Sequence, residues 1–121
     1  DAMHDEEVWV EANELLMREA LTNLIDNALL YAGVGAQVTL RVQRERHMAR
    51  LDVMDNGPGI PASEHERVME RFVRATEKGN GCGLGLAIVR EIIESHHGKV
   101  ELSESKPRGL QVTLRLPLVN P

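Results

Sequence analysis

Three groups of residues have the types and spacing to do chemistry. Glu19, Asn23 and Asn27 fall at i, i+4 and i+8, so on a helix they form one polar stripe. An Asn carbonyl is a hard oxygen ligand suited to Mg2+, which takes few protein ligands and shares phosphate oxygens. Glu19, on the same stripe, can orient a metal-bound water or act as a base. The alternative is that the three side chains bond to one another or to loop backbone. The second group is Asp55-Asn56-Gly57-Pro58-Gly59-Ile60. In the run before it, Leu51, Val53 and Asp55 alternate and share the buried face of a strand, while Arg50 and Asp52 take the other. A buried carboxylate needs a donor. Beside glycines that let a ligand approach the backbone, Asp55 can accept from a ligand amino group; otherwise it caps a turn. The third group is Gly81-Cys82-Gly83-Leu84-Gly85-Leu86. Alternating glycines opening a helix direct backbone N–H groups at an anion, with help from the helix dipole. The loop is not a P-loop, because no Gly-Lys-Ser/Thr follows. Nor is it the dinucleotide fingerprint, because Leu86 stands where a third glycine is required.

These groups must be held by regular elements. Asn13 is a good N-cap for a helix from about Glu14 to Tyr31 or Ala32, ended by Gly33. Arg18, Thr22 and Asp26 mark a narrow solvent face of this helix. Leu15, Met17, Ala20, Leu21, Leu24, Ile25 and Ala28 cover most of the rest, which predicts a largely buried helix. Gln37 to Gln43 alternates as a strand with Val38, Leu40 and Val42 on one face. It forms a hairpin with the strand that ends at Asp55. Ser63 and Glu66 are spaced as a capping box for a short helix reaching about Phe72. Residues 73–83 are rich in charge and glycine and read as a mobile loop. A second long helix runs from Leu84 to His97 and is closed by Gly98 at C′. Two final strands, 99–102 and 110–116, are joined by a turn around Pro107-Arg108-Gly109. The order suggests a two-layer α/β sandwich of the α+β class: a mixed, mostly antiparallel sheet with the helices on one face.

The chain has 121 residues, 42% of them hydrophobic, which suits one domain over residues 1–121 with one core. It has one Trp, one Tyr and one Phe, which removes any stacking platform for single-stranded nucleic acid. A net charge of −5 without a basic face also argues against a nucleic-acid partner. The single cysteine, Cys82, allows no internal disulfide; between glycines it reads as a small residue more than a redox handle. The five histidines show no metal-binding spacing. No apolar run approaches the ~20 residues of a bilayer span, so no direct membrane contact is expected. The chain opens abruptly on a strand-like Glu7-Val8-Trp9-Val10, as a piece of a longer protein would.

Taken together, the motifs resemble the catalytic, ATP-binding domain of sensor histidine kinases. Asn23 to Asn27 with Ala28 is similar to the N box, Asp55 to Ile60 to the G1 box, Glu70-Arg71-Phe72-Val73-Arg74 to the F box, and Gly81 to Val89 to the G2 box. All four stand in order, within a resemblance that covers about residues 8–117. The family shares the Bergerat (GHKL) fold with gyrase, Hsp90 and the MutL ATPases. The resemblance implies that Asp55 accepts from the adenine 6-amino group, with a water shared by Thr113, and that Gly57, Gly59 and Ile60 let the base approach. It implies that Asn27 binds Mg2+, that Asn23 supports the phosphate end, that Glu19 sits near the metal water, and that Tyr31 lies along the adenine. Residues 73–83 become an ATP lid, with Gly81, Gly83, Leu84, Gly85 and Leu86 at the phosphates and Arg74 reaching the γ-phosphate. One departure is Leu30, where the family often carries a phosphate-contacting cation; Arg74 or Lys78 would then supply the charge. The implied activity is transfer of the γ-phosphate of ATP to a histidine on a separate phosphoacceptor and dimerisation domain, whose helical hairpin is absent from this sequence. The implied setting is the cytoplasmic part of a homodimeric inner-membrane sensor that signals to a response regulator. The rival readings are a GHKL ATPase that hydrolyses ATP, and a serine kinase of the anti-sigma-factor type.

Overall fold

A computed structural model of the chain describes residues 8–70, 82–106 and 108–119, without the side chains of Tyr31 and of residues 82–85. The elements run α1 (Glu14–Ala32), β1 (Val38–Glu45), β2 (Met48–Asp55), α2 (His65–Val68), α3 (Cys82–Ser95), β3 (Lys99–Glu104) and β4 (Leu110–Pro117). The strands lie in the order β1-β2-β4-β3 and every pairing among them is antiparallel, so the mixed sheet expected from the sequence is not seen among the described residues. α1 and α3 pack against each other on one face, α1 mainly over β2 and α3 over β3 and β4. The core forms between the layers, where Leu24 and Ala28 of α1, Leu86, Val89 and Ile93 of α3, Val53 of β2 and Leu110, Val112, Leu114 and Leu116 of β4 meet. This is the α+β sandwich that the element order implied.

Local chemistry explains both the agreements and the departures. Asn13 caps α1 as expected, its side chain accepting from Leu16 N at 3.0 Å. Gly33 ends the helix at φ 88°. The Asn13 N–H is itself held by His96 Nε2 at 3.0 Å, while His96 Nδ1 lies 2.8 Å from the Ile92 carbonyl. A carbonyl can only accept, so Nδ1 carries the proton and His96 ties the end of α3 to the start of α1. α1 is less buried than expected: Leu15 is 73% exposed and Leu30 57%. The same holds for Leu40 and Val42 on the edge strand β1, because α1 lies further in, over β2. Residues 8–10 form no strand; Trp9 contributes one carbonyl to Val119 N at 2.9 Å. Ser63 caps nothing by its side chain and sits in a 3-10 turn, Ala62–Glu64, which leads into α2. α2 ends at Val68, short of Phe72, which lies outside the described residues. At the end of α3 the expected roles shift by one residue. His97, at φ 66°, takes the left-handed C′ position, and Gly98 follows it. His97 N bonds Glu94 O at 3.0 Å and Gly98 N bonds Ile93 O at 2.9 Å, the two bonds of a Schellman motif. Gly98 is needed for contact, since a Cβ there would lie 2.2 Å from the Arg115 carbonyl oxygen.

The outer face of the sheet, away from the helices, is polar and interlocked. Asp52, fully buried, accepts from Thr113 Oγ1 at 2.6 Å, Arg50 Nε at 3.0 Å, Arg41 Nη2 at 3.0 Å and Gln111 Nε2 at 3.3 Å. Burial alone would raise its pKa, but the hydrogen bonds from Thr113, Arg50 and Arg41 outweigh it and hold the carboxyl below its usual value. Arg50 continues to Glu45 at 2.7 Å, and Arg115 bridges Glu45 at 2.7 Å and also bonds Glu101.

Two outcomes are expected. Gly98→Ala should lower unfolding stability by about 1–3 kcal/mol in urea titrations, since the new methyl meets backbone; His97→Gly should raise it, by relieving a left-handed non-glycine residue. A group with a depressed folded pKa gives stability that is present above its unfolded pKa, near 3.9, and is lost as pH falls through the folded value. Asp52→Asn should therefore cost roughly 2 kcal/mol at pH 7 and show a shallower loss of stability below about pH 4 than the parent chain.

Candidate functional site

The site begins with Asp55, the last residue of β2. Alternation puts it on the helix side with Leu51 and Val53, and only 4% of it is exposed. Its Oδ1 accepts from Gly57 N at 2.9 Å and from Leu110 N of β4 at 3.2 Å. One carboxylate oxygen thus closes the loop on itself and fastens it to the neighbouring strand. Gly57 is buried, Gly59 takes φ 78°, and Ile60 enters the core, so the loop is pinned at both ends. Asn56 turns the other way: its Oδ1 accepts from Gln37 N at 2.9 Å at the start of β1. The Ile60 carbonyl accepts from the His65 ring at 2.8 Å, which joins the loop to α2.

Across from Asp55 stands α1. Asn27 is buried, and its Nδ2 has no hydrogen-bond partner among the described residues. A buried amide left so costs roughly 1–3 kcal/mol. The rest of the stripe grades outward: Asn23 is half-buried and donates Nδ2 to the Glu19 carbonyl at 2.9 Å, and Glu19 is exposed. Asn27 and Asp55 line one small enclosed cavity, whose other walls are Leu24, Ala28, Val53, Leu86, Leu110 and Val112. Its volume of about 10 Å³ is roughly that of one water, so it marks the inner wall of a site and does not itself enclose a ligand.

Thr113 does not join this site. It pairs with Asp52 in the β2–β4 register and donates to Asp52 on the outer face, so it cannot share a water with Asp55 on the helix side. The aliphatic alternation 110, 112, 114 and 116 carries that signal, because it leaves 111, 113 and 115 facing outward. The residue of β4 that reaches Asp55 is Leu110, through its backbone N–H, a contact that side-chain types do not reveal. Leu86 is 1% exposed and forms a wall of the cavity, so its side chain serves the apolar end. Gly83, Leu84 and Gly85 fall in the first turn of α3. Tyr31 lies in the last turn of α1, which holds no basic residue, so Leu30 has no cationic substitute there. Arg74, Lys78 and Gly81, with the rest of the expected lid before Cys82, lie outside the described residues. No group of three or more His, Cys, Asp or Glu among the described residues is placed to hold a metal ion. No helix among them is long and apolar enough to cross a membrane.

Comparison with known proteins bears on this arrangement. Residues 12–120 match the family described as histidine kinase-, DNA gyrase B-, and HSP90-like ATPase. The sensor protein kinase PmrB of Pseudomonas aeruginosa is 40% identical over 123 residues, covering 99% of this chain and 26% of that protein. Among solved structures, a mycobacterial sensor histidine kinase, MprB, superposes with a TM-score of 0.78 at 33% identity, over 90% of this chain and 76% of that one. The nucleotide-free catalytic domain of the histidine kinase ThkA gives a TM-score of 0.82 at 29% identity, over 94% and 74%. ThkA is also known in complex with a response regulator, TrrA. The chain thus belongs to the histidine kinase-, DNA gyrase B- and HSP90-like ATPases, among the catalytic domains of sensor histidine kinases. It spans about a quarter of the length of PmrB.

The orphaned amide gives a test of the site that needs no turnover. Asn27→Leu removes an unpaired buried group, so the ligand-free chain should unfold about 1 kcal/mol later than the parent. The parent is expected to melt at a higher temperature with Mg2+–ATP, and the same variant to lose that rise. A destabilised variant, or one that keeps the nucleotide shift, would contradict the assignment.

Proposed function

We propose that this domain binds Mg2+–ATP between α1, the Asp55 loop and the start of α3, and presents the γ-phosphate to a histidine of a separate phosphoacceptor and dimerisation domain. The observation that carries the reading is the shared cavity: a carboxylate fastened by two backbone N–H groups and an unpartnered buried amide face one apolar space. Asp55 accepts from the adenine 6-amino group, with Gly57, Gly59 and Ile60 shaping the approach of the base and Tyr31 lying along it. Asn27 fits the metal role, because a half-turn of its free amide offers a hard oxygen. Bound Mg2+ would neutralise charge on the phosphates. Asn23 supports the phosphate end and Glu19, exposed at the open end of the stripe, stands near the metal water. Gly81, Gly83, Leu84 and Gly85 direct backbone N–H groups at the phosphates, and Arg74 meets the γ-phosphate in place of the cation absent at Leu30.

The reaction is then an in-line displacement. A ring nitrogen of the acceptor histidine bonds to the γ-phosphorus as the bond to the β,γ-bridging oxygen breaks, and ADP leaves. Little covalent work falls to this chain; it holds the phosphate in line and excludes water from the base. In the whole protein the domain would lie on the cytoplasmic side of an inner-membrane, homodimeric sensor and act on a response regulator, as the ThkA–TrrA complex suggests by analogy.

Calorimetric titration tests both ends of the site. Asp55→Ala should weaken ATP and ADP together, by at least about tenfold, the loss of a charge-assisted hydrogen bond. Arg74→Ala should weaken ATP more than ADP. Equal losses for the two nucleotides on Arg74→Ala would remove that residue from the γ-phosphate, and unchanged affinity on Asp55→Ala would defeat the nucleotide site.

A further inference from the structure

The turn between β3 and β4 lies directly behind the Asp55 loop and holds it. Arg108 Nε donates to the Gly57 carbonyl at 2.9 Å, across 51 residues of sequence. Gly57 is therefore gripped at both ends, its N–H by Asp55 Oδ1 and its C=O by Arg108. Gly109 packs still closer. At φ 115°, a Cβ on it would stand 1.9 Å from the Asp55 carbonyl oxygen and 2.8 Å from Asp55 Oδ1. The Gly109 carbonyl in turn accepts from Ser105 N at 3.0 Å, which closes the turn, and lies 3.0 Å from where a Cβ of Gly59 would be. The next residue, Leu110, supplies the second N–H to Asp55 Oδ1.

We infer that Arg108 and Gly109 are positioning residues that aim the Asp55 carboxylate and thereby set the preference of the nucleotide site for a 6-amino purine over a 6-oxo purine. The inference rests on the nucleotide reading above. With Oδ1 committed to two backbone N–H groups, Oδ2 is the oxygen on offer to a ligand. An amino group can donate to it; a 6-oxo group would set oxygen against oxygen and leave both unpaired. That discrimination depends on the carboxylate keeping its direction, which the Gly57 peptide and the Gly109 backbone enforce from two sides. Arg108 is exposed and borders open clefts on either side of the turn, one shared with Pro58 and Pro61, the other with Gln37 and Lys106. Its bond to Gly57 fastens the loop without being part of the core, so its removal leaves the fold intact.

The experiment measures dissociation constants of Mg2+ complexes of ATP and of inosine triphosphate for the parent chain, Arg108→Ala and Arg108→Met. The parent should prefer ATP. Both variants should fold, with an unfolding stability lowered by no more than one hydrogen bond contributes, lose about fivefold in ATP affinity as the carboxylate loses its aim, and hold inosine triphosphate as before. The ATP preference then falls about fivefold in each. Gly109→Ala should remove the preference altogether where it folds. Variants at Arg108 that retain the parent ratio, with affinities unchanged or lowered equally, would overturn the inference while leaving the nucleotide site standing. A parent chain with no preference for ATP would overturn the placement of adenine against Asp55, and this inference with it.

Discussion

The arrangement depends on one hydrogen-bonded contact, between the carboxylate of Asp55 and the backbone of two segments far apart in sequence. A carboxylate 4% exposed at the end of a strand is tolerable only where donors meet it, and here they come from Gly57 and Leu110. Much follows from that requirement. β4 must lie beside β2, so the last strand in sequence becomes a central strand of the sheet. The residue before Leu110 must be glycine, because the Asp55 backbone occupies the space of any side chain. The loop after Asp55 must turn back within two residues, so that Gly57 can donate to it. Facing all this, α1 brings Asn27, whose amide remains unpaired. A site that leaves a buried polar atom unsatisfied gives up stability that an apolar residue would restore, which is the usual relation of binding sites to their fold.

The two aspartates of β2 show how strand parity divides labour. Asp52 and Asp55 are three residues apart and therefore face opposite sides of the sheet. Asp52 is saturated by Thr113, Arg50, Arg41 and Gln111 and has a structural part. Asp55 takes its two bonds through one oxygen and retains the other. The outer network stiffens β2 and β4 from behind, and so supports the register on which the Leu110 contact relies.

What the sequence makes legible is local chemistry and periodicity. Asn13, Gly33 and the 3.6-residue pattern bound α1 well, and the N, G1 and G2 motifs hold five of the eight residues that line the cavity, Leu24, Asn27, Ala28, Asp55 and Leu86, while Val53, Leu110 and Val112 lie outside them. What could not be read was which chemistry outranks which when elements meet. By residue type Gly98 is the natural left-handed residue at the end of α3, yet the Arg115 backbone claims the space beside it and His97 takes the strained position. The resemblance puts Thr113 beside Asp55, whereas its parity with Gln111 and Arg115 turns it to the opposite face. Leu15, Leu30, Leu40 and Val42 carry the apolar character of core residues but lie where the two layers do not overlap. The donors to Asp55 are backbone groups, and no residue type announces them. Each of these features is tertiary: it depends on where one element crosses another, which periodicity within an element does not contain.

The central claim is that Asp55 receives the base of a nucleotide while Asn27 faces its phosphate end. A crystal structure of the chain with Mg2+ and a non-hydrolysable ATP analogue tests it most directly. The account requires the adenine 6-amino nitrogen within hydrogen-bonding distance of Asp55 Oδ2, with the metal on the Asn27 amide oxygen. A base bound elsewhere, or a metal held without Asn27, would contradict it.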